Sequence, residues 1–339
     1  MSVRSIATLA RWLGPWAGAT AAPPGGAHDD DLDGLRVRIY EPRRAGGVPF
    51  FVAPGLHYAG ADDPRMDRFC RILAAAGHRV IAPFVPSYLA LAPDARAIDD
   101  FVRVVDALPR WCERPPVAFS ISFGSLLALA AAAARPGAFE RIVVFGGYAD
   151  FHEAMEFCLT GAGRDPLNQP VVLMNLLDHI AATPALHARE RPALIAAWRG
   201  YVERVWGRPE MKAPERYLAV AEELAPAVPA GVRELFLIGV GARPGAWELV
   251  KPALARADRR DLDPRPLLDR ITGRVDLVHG TDDDVIPFQH AHALAAGLAN
   301  ADVRVHITGL YGHTGAGFGR LAALPRELAT MFRVLFALG

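Results

Sequence analysis

The segment 120–124 (SISFG) restricts the fold of this chain more than any other stretch. An apolar run at 116–119 precedes it, and an Ala/Leu-rich run at 126–134 follows it. This order predicts a strand, a sharp turn and a helix, with Ser122 at the tip of the turn. Residues two before and two after the tip must be small, because bulky side chains would clash there, although Ser120 stands where glycine is usual. The helix would direct free backbone N–H groups toward Ser122, which suits a developing oxyanion.

Two later loops supply the base and the orienting acid that a nucleophilic serine requires. A predicted buried strand at 275–280 leads into three consecutive aspartates at 282–284, and Pro287 fits the first position of a following helix. His313 lies in a loop after a short predicted strand at 303–307. The chain order serine, aspartate, histidine is that of enzymes with a strand-to-helix nucleophile turn, so the sequence predicts a Ser-His-Asp triad.

With these motifs the chain resembles the α/β-hydrolase superfamily, over residues 35–150 and 270–339. The block 279–287 (HGTDDDVIP) is similar to the acid loop of that superfamily, and the resemblance implies that Asp283 is the catalytic acid. Gly312-His313 similarly resembles its histidine loop. Some members take the acid from the end of the preceding strand, which leaves Asp150 as the reserve candidate.

The loop after the predicted strand at 49–53 is expected to supply one of the two backbone donors of an oxyanion hole. One backbone donor is the N–H of Phe123, directly after the nucleophile. By resemblance, the other is the N–H of Leu56, although Pro54 replaces the histidine that is common in this loop. His57 and Tyr58 either contact the substrate or pack beneath a lid, and Tyr148 is a further candidate for lining the substrate site.

Composition limits the classes of partner and cofactor. The 37 basic and 37 acidic residues give a net charge of zero, which argues against nucleic acid. The cysteines (Cys70, Cys112 and Cys158) and the dispersed histidines show no metal-ligand spacing, so we expect no metal and no cofactor. No run is long and apolar enough to span a bilayer. Abundant alanine, proline and arginine are typical of a GC-rich bacterial coding bias.

Alternating strands and helices predict an α/β fold, with a mostly parallel central sheet flanked by helices. Residues 35–149 and 272–339 are expected to form this core, an α/β-hydrolase fold by resemblance. Residues 150–271 lack strand alternation and are too long for an ordinary connection, so they predict an inserted helical lid. The helices predicted within it are 155–159, 171–180, 192–206, 214–224 and 247–254; the apolar run 235–238 is too short to assign.

Residues 1–34 are expected to be an N-terminal helix followed by a linker over 22–34. Helical spacing of Ile6, Leu9, Leu13 and Trp16 favours an amphipathic helix that docks on the core or covers the pocket. A faint resemblance of the same stretch to a signal peptide leaves secretion as the alternative to a cytoplasmic location.

The residues together predict a serine hydrolase that cleaves a carboxylic ester of a small to medium apolar substrate through an acyl-enzyme. Thioester or amide hydrolysis, acyl transfer and C–C bond hydrolysis on the same fold remain alternatives, as does a non-catalytic ligand-binding protein. A serine nucleophile argues against the epoxide hydrolase and haloalkane dehalogenase branches. Oligomeric state is not predicted.

Overall fold

A computed structural model of the chain describes residues 22–44, 46–180 and 190–309. The chain divides into two compact units, one that runs to Asp150 and resumes at Asp261, and one that spans Phe151–Arg260. The expected N-terminal helix and the loop that carries His313 lie outside the described residues. In the part of the chain that the structure describes, no helix is long and apolar enough to cross a membrane.

The first unit is built on one sheet, which has eight strands in the described residues. The strands are β1 (Gly26–Leu32), β2 (Leu35–Glu41), β3 (Phe50–Ala53), β4 (Val80–Pro83), β5 (Val117–Ile121), β6 (Arg141–Phe145), β7 (Gly273–Gly280) and β8 (Ala301–Thr308). Their order across the sheet is β1-β2-β4-β3-β5-β6-β7-β8. The strand β2 runs antiparallel to both neighbours, and the other pairs are parallel. The predicted mostly parallel sheet is thus confirmed.

Helices connect the strands and form all the regular structure among the described residues of the second unit. In chain order they are α1 (Pro64–Ala75), α2 (Pro86–Leu89), α3 (Ala95–Asp106), α4 (Gly124–Ala134), α5 (Phe151–Thr160), α6 (Gln169–Leu176), α7 (Glu190–Val205), α8 (Pro214–Leu224), α9 (Ala230–Gly239), α10 (Ala246–Arg256) and α11 (Gln289–Gly297). The helix predicted after the acid loop is α11, which begins two residues after Pro287.

The centre of the sheet is apolar on both faces. Every residue of β3 and β4 is buried, as is all of β5 up to its last residue. The ring of Phe119 on β5 lies 4.7 Å from that of Phe69 on α1 and 6.4 Å from that of Phe145 on β6. Strands covered on both faces have continuous apolar sequences, which is why the sequence locates β3 and β5 correctly.

The expected linker over residues 22–34 is wrong, because most of it is the edge strand β1. A two-residue hairpin turn joins β1 to β2 at Asp33 and Gly34, which have φ angles of 51° and 84°. Asp-Gly is a preferred sequence for such turns. Asp29 faces Arg38 across the pair and binds its guanidinium at 2.7 Å. Cross-strand ion pairs thus compensate for the low strand propensity of the aspartates.

The second unit contains only helices in its described residues, as the sequence predicts for the insertion. It ends at Arg260, so residues 261–271 belong to the sheet unit rather than to the predicted insertion 150–271. The unassigned run 235–238 lies within α9, where Val232 and Phe236 are buried one helical turn apart. A lid role for this unit stays a prediction.

Candidate active site

Ser122 occupies the turn between β5 and α4 in a left-handed backbone conformation. Its φ is 52°, and besides Ser122 only Asp33 and Leu91 among the described non-glycine residues have a positive φ. Such a conformation costs on the order of 1–2 kcal/mol, so surrounding contacts must enforce it. The N–H of Ser122 donates a 2.8 Å hydrogen bond to the carbonyl of Phe145 at the end of β6. The predicted sharp turn with Ser122 at its tip is present.

The flanking positions of the turn are tightly enclosed. A Cβ atom on Gly124 would lie 2.4 Å from the carbonyl oxygen of Ala53 and 2.5 Å from that of Pro54. Ser120 is fully buried, and its hydroxyl donates to the carbonyl of Val143 at 3.3 Å. These contacts give the physical reason why both positions carry small residues.

The loop after β3 passes directly beside the serine. A Cβ atom on Gly55 would lie 3.7 Å from Cβ of Ser122 and 3.2 Å from the carbonyl oxygen of Ile121. Leu56 is the next residue of this loop, and Phe123 begins the first turn of α4 on the other side of Ser122. The two predicted oxyanion donors therefore belong to backbone segments that both adjoin the serine.

His57 stabilises this loop from within. Its Nδ1 accepts a 3.1 Å hydrogen bond from the N–H of Ala59, which places the ring proton on Nε2, 3.2 Å from Oδ2 of Asp63. Burial lowers the pKa of His57 to about 4, against the opposing charge of Asp63. The ring stacks on Tyr58 at 4.4 Å. Because both ring nitrogens face groups of the loop, the geometry favours the packing alternative for His57 over contact with a substrate.

The loop after β7 immobilises Asp283. One carboxylate oxygen accepts hydrogen bonds from the N–H groups of Val285 and Ile286, at 2.9 and 2.8 Å. The other oxygen lies 3.3 Å from Nε2 of His279, which also lies 2.8 Å from the carbonyl of Ile286. Asp282, by contrast, is exposed. A carboxylate oriented in this way is suited to hold an imidazole, which supports the choice of Asp283 within the aspartate run.

Asp150, the reserve acid, has a different environment. It follows β6 and forms an ion pair with Arg265, whose side chain is about half exposed. A guanidinium partner compensates the carboxylate charge, so Asp150 is less suited to stabilise an imidazolium. The two candidate acids therefore lie in different environments, and the choice of Asp283 over Asp150 stays a prediction.

His290, to which the sequence analysis assigned no role, lies buried beside both acids. Its Nδ1 accepts a 3.2 Å hydrogen bond from the N–H of Ala149. Burial and the neighbouring His279 lower the pKa of His290 to about 4, although Asp150 and Asp283 oppose this shift. The imidazole is therefore neutral at neutral pH. Its position on α11 carried no detectable signal, because one buried histidine in an apolar helix has no distinctive spacing.

Two tyrosines that adjoin the turn are also buried. Tyr148 is fully buried, its ring lies 4.9 Å from that of Phe123, and its hydroxyl donates to the carbonyl of Leu262 at 2.7 Å. This environment favours support of the turn, and substrate contact by Tyr148 stays a prediction. Tyr88, on α2, donates a 3.0 Å hydrogen bond to the carbonyl of Phe123. The described residues contain no group of three His, Cys, Asp or Glu side chains that could hold a metal ion.

The buried neutral histidines predict a loss of stability in mild acid. For His57 and His290 the pKa in the folded protein, about 4, is below the ordinary value of 6.5. The unfolded chain therefore binds protons that the folded chain does not, and stability falls as the pH drops from about 6.5 to 4. Each shift corresponds to about 3 kcal/mol at most. Urea unfolding measured from pH 7.5 to 4.5 should show this loss.

A variant isolates the contribution of His290. Asparagine can accept the same N–H from Ala149 without titrating, so His290→Asn should flatten the pH dependence of unfolding. The exposed His28 provides the matched control, and His28→Asn should leave the dependence unchanged. Equal pH dependence in wild type and His290→Asn would contradict this account of the buried imidazole.

Comparisons with known proteins give similarity to solved structures alone. No protein-family model matches the chain, and no curated protein does. An acylaminoacyl peptidase from Pyrococcus horikoshii is 9% identical, with a TM-score of 0.49 over 92% of this chain and 40% of its own. A serine hydrolase from the polyaromatic hydrocarbon-degrading bacterium Cycloclasticus zankles is 16% identical, with a TM-score of 0.46 over 93% of this chain and 97% of its own. VinJ is 14% identical, with a TM-score of 0.49 over 94% of this chain and all of its own.

The chain thus spans less than half the length of the Pyrococcus peptidase that it matches. Because these three TM-scores are below 0.5, the fold assignment rests on this chain's own geometry. That geometry comprises the strand order, the parallel series from β4 to β8 flanked by the antiparallel strand β2, and a left-handed serine between β5 and α4. The chain has the α/β-hydrolase fold.

Proposed function

We propose that the protein is a serine hydrolase in which Ser122 is the nucleophile. The observation that carries this proposal is the strained φ of 52° at Ser122, at the N-terminus of α4 and beside the Gly55 loop. Backbone strain that surrounding contacts enforce is common at catalytic positions, where it exposes a reactive group. The helix N-terminus and the loop after β3 both adjoin Ser122, which supports the backbone N–H groups of these two segments as the oxyanion donors.

The mechanism follows from the roles of the proposed triad. His313 takes the proton of the Ser122 hydroxyl as its oxygen attacks the carbonyl carbon, and Asp283 holds the imidazole in the required tautomer. The N–H groups of Phe123 and Leu56 bind the oxyanion. The tetrahedral intermediate then expels the alcohol, which receives its proton from His313. Water, deprotonated by the same histidine, cleaves the acyl-enzyme and regenerates Ser122.

The proposed substrate is a carboxylic ester of small to medium size with an apolar acyl or alcohol group. This choice rests on the sequence resemblance and on the neutral net charge, and no cofactor is required. Thioester or amide cleavage, acyl transfer and C–C hydrolysis use the same nucleophile and are distinguished by the product. All three cysteines are free thiols, and two are buried, which is consistent with the proposed cytoplasmic location.

Ser122→Ala tests the nucleophile. We expect hydrolysis of a chain-length panel of p-nitrophenyl esters to fall by about three powers of ten or more, because a triad without its nucleophile retains only binding and oxyanion stabilisation. Ser87→Ala is the matched control, since the Ser87 hydroxyl has no hydrogen-bond partner among the described residues. Wild-type activity in Ser122→Ala would refute the proposal, and the preferred ester length in the wild type would indicate the size of the acyl site.

The assignment of the acid is tested by comparing Asp283→Asn with Asp150→Asn. Loss of the carboxylate that orients the histidine should lower kcat by about 10³ to 10⁴, whereas loss of the carboxylate paired with Arg265 should change kcat by less than about tenfold. The two substitutions are isosteric, so packing is preserved in both. The reverse pattern would transfer the acid role to Asp150.

A further inference from the structure

Tyr88 lies against the nucleophile turn from a different part of the chain. It belongs to the one-turn helix α2, directly after β4, and its side chain is 1% exposed. Its hydroxyl donates to the carbonyl oxygen of Phe123 at 3.0 Å. Burial raises the pKa of the phenol, so the hydroxyl keeps the proton that it donates. The proposed mechanism gives this residue no task.

Hydrogen bonds hold three consecutive peptide groups of the turn. The N–H of Ser122 donates to Phe145, and the carbonyl of Ser122 accepts from the N–H of Ser125 at 3.0 Å. The carbonyl of Ser122 and the N–H of Phe123 share one planar trans peptide and point in opposite directions. Fixing that carbonyl therefore sets the direction of the Phe123 donor. Tyr88 holds the carbonyl of Phe123, which belongs to the next peptide, so the peptide groups on both sides of the Phe123 Cα are fixed.

The segment that carries Tyr88 also contacts the opposite half of the candidate oxyanion hole. A Cβ atom on Gly60, in the loop after β3, would lie 2.9 Å from Cδ2 of Leu89 and 3.1 Å from Cδ1 of Phe84. Gly60 in turn donates its N–H to the carbonyl of His57 at 3.2 Å. The segment 84–89 therefore packs on the loop that carries Leu56 and bonds to the turn that carries Phe123.

We propose that Tyr88 is a positioning residue of the oxyanion hole, which fixes the Phe123 amide relative to the loop that carries Leu56. The inference rests on the proposed function, since it assumes that Ser122 attacks a carbonyl and that these amides hold the resulting oxyanion. Tyr88 touches neither substrate nor reacting atoms. Its effect is expected on the transition state, where charge develops on the oxygen, rather than on binding of the substrate.

Tyr88→Phe tests the inference, because it removes one hydroxyl and keeps the ring. The matched control is Tyr40→Phe. Tyr40, on β2, is another fully buried tyrosine, and its hydroxyl donates a 3.1 Å hydrogen bond to Asp67. The first readout is the second-order rate of labelling by a fluorophosphonate. In that reaction the Ser122 oxygen bonds to phosphorus as fluoride leaves with the electron pair of the P–F bond, His313 takes the proton, and the phosphoryl oxygen occupies the oxyanion hole.

The second readout separates positioning from a general structural effect. The preferred p-nitrophenyl ester is compared with its thiono analogue, in which sulfur replaces the carbonyl oxygen and binds weakly to oxyanion donors. Each rate is divided by the concentration of protein that the fluorophosphonate can label, so unfolded protein does not contribute. Tyr88→Phe should lower the labelling rate and kcat for the oxo ester by about tenfold, with KM within about twofold, and it should reduce the oxo-to-thiono rate ratio.

Each outcome gives a decision. A reduced labelling rate and a reduced oxo-to-thiono ratio in Tyr88→Phe, with wild-type values in Tyr40→Phe, support the inference. A wild-type labelling rate in Tyr88→Phe, or an equal loss of rate with the oxo and thiono esters, overturns the inference. The proposed function still stands in that case if Ser122→Ala abolishes labelling. If the wild type itself is not labelled at Ser122, the proposed function fails and the inference fails with it.

Discussion

The left-handed backbone at Ser122 is the constraint on which the proposed site depends. A φ of 52° at a non-glycine residue is unfavourable, and it persists because β5 ends beside Ser122 in the buried centre of the sheet while α4 begins two residues after Ser122. Hydrogen bonds to Phe145 and from Ser125 hold the serine peptide groups in place. Relaxing this turn would move the hydroxyl and the adjoining amide together, so in the proposed site the backbone strain, the position of the nucleophile and oxyanion binding depend on one another.

The remaining parts of the site follow from sheet topology. Parallel strands bring their carboxyl ends to one edge, and in this sheet those ends carry the Gly55 loop, the serine turn and the Asp283 loop after β3, β5 and β7. Each loop is then fixed internally by short-range hydrogen bonds. His57 performs this role in the first loop, and backbone N–H groups together with His279 perform it around Asp283.

The sequence predicted the features that depend on residues close together in the chain. Apolar runs located β3 and β5, and small residues around Ser122 predicted the turn. The resemblance of the block 279–287 to the acid loop of the superfamily singled out Asp283, whose role stays a prediction. Features set by tertiary contacts had no local signal. The acidic strand β1 resembles a linker until Arg36 and Arg38 pair with its Asp29, and the roles of Tyr88 and His290 depend on partners 35 and 141 positions away. The Asp-Gly turn before β2 was a readable hairpin signal that the linker interpretation missed.

The central claim is that Ser122 is an activated nucleophile, and adduct mapping tests it most directly. The wild-type protein is reacted with a fluorophosphonate at neutral pH, digested, and analysed by mass spectrometry for the modified residue. The account predicts one phosphonyl group per chain, on Ser122. An adduct on another residue, or no adduct under conditions that modify a known serine hydrolase in parallel, would contradict it.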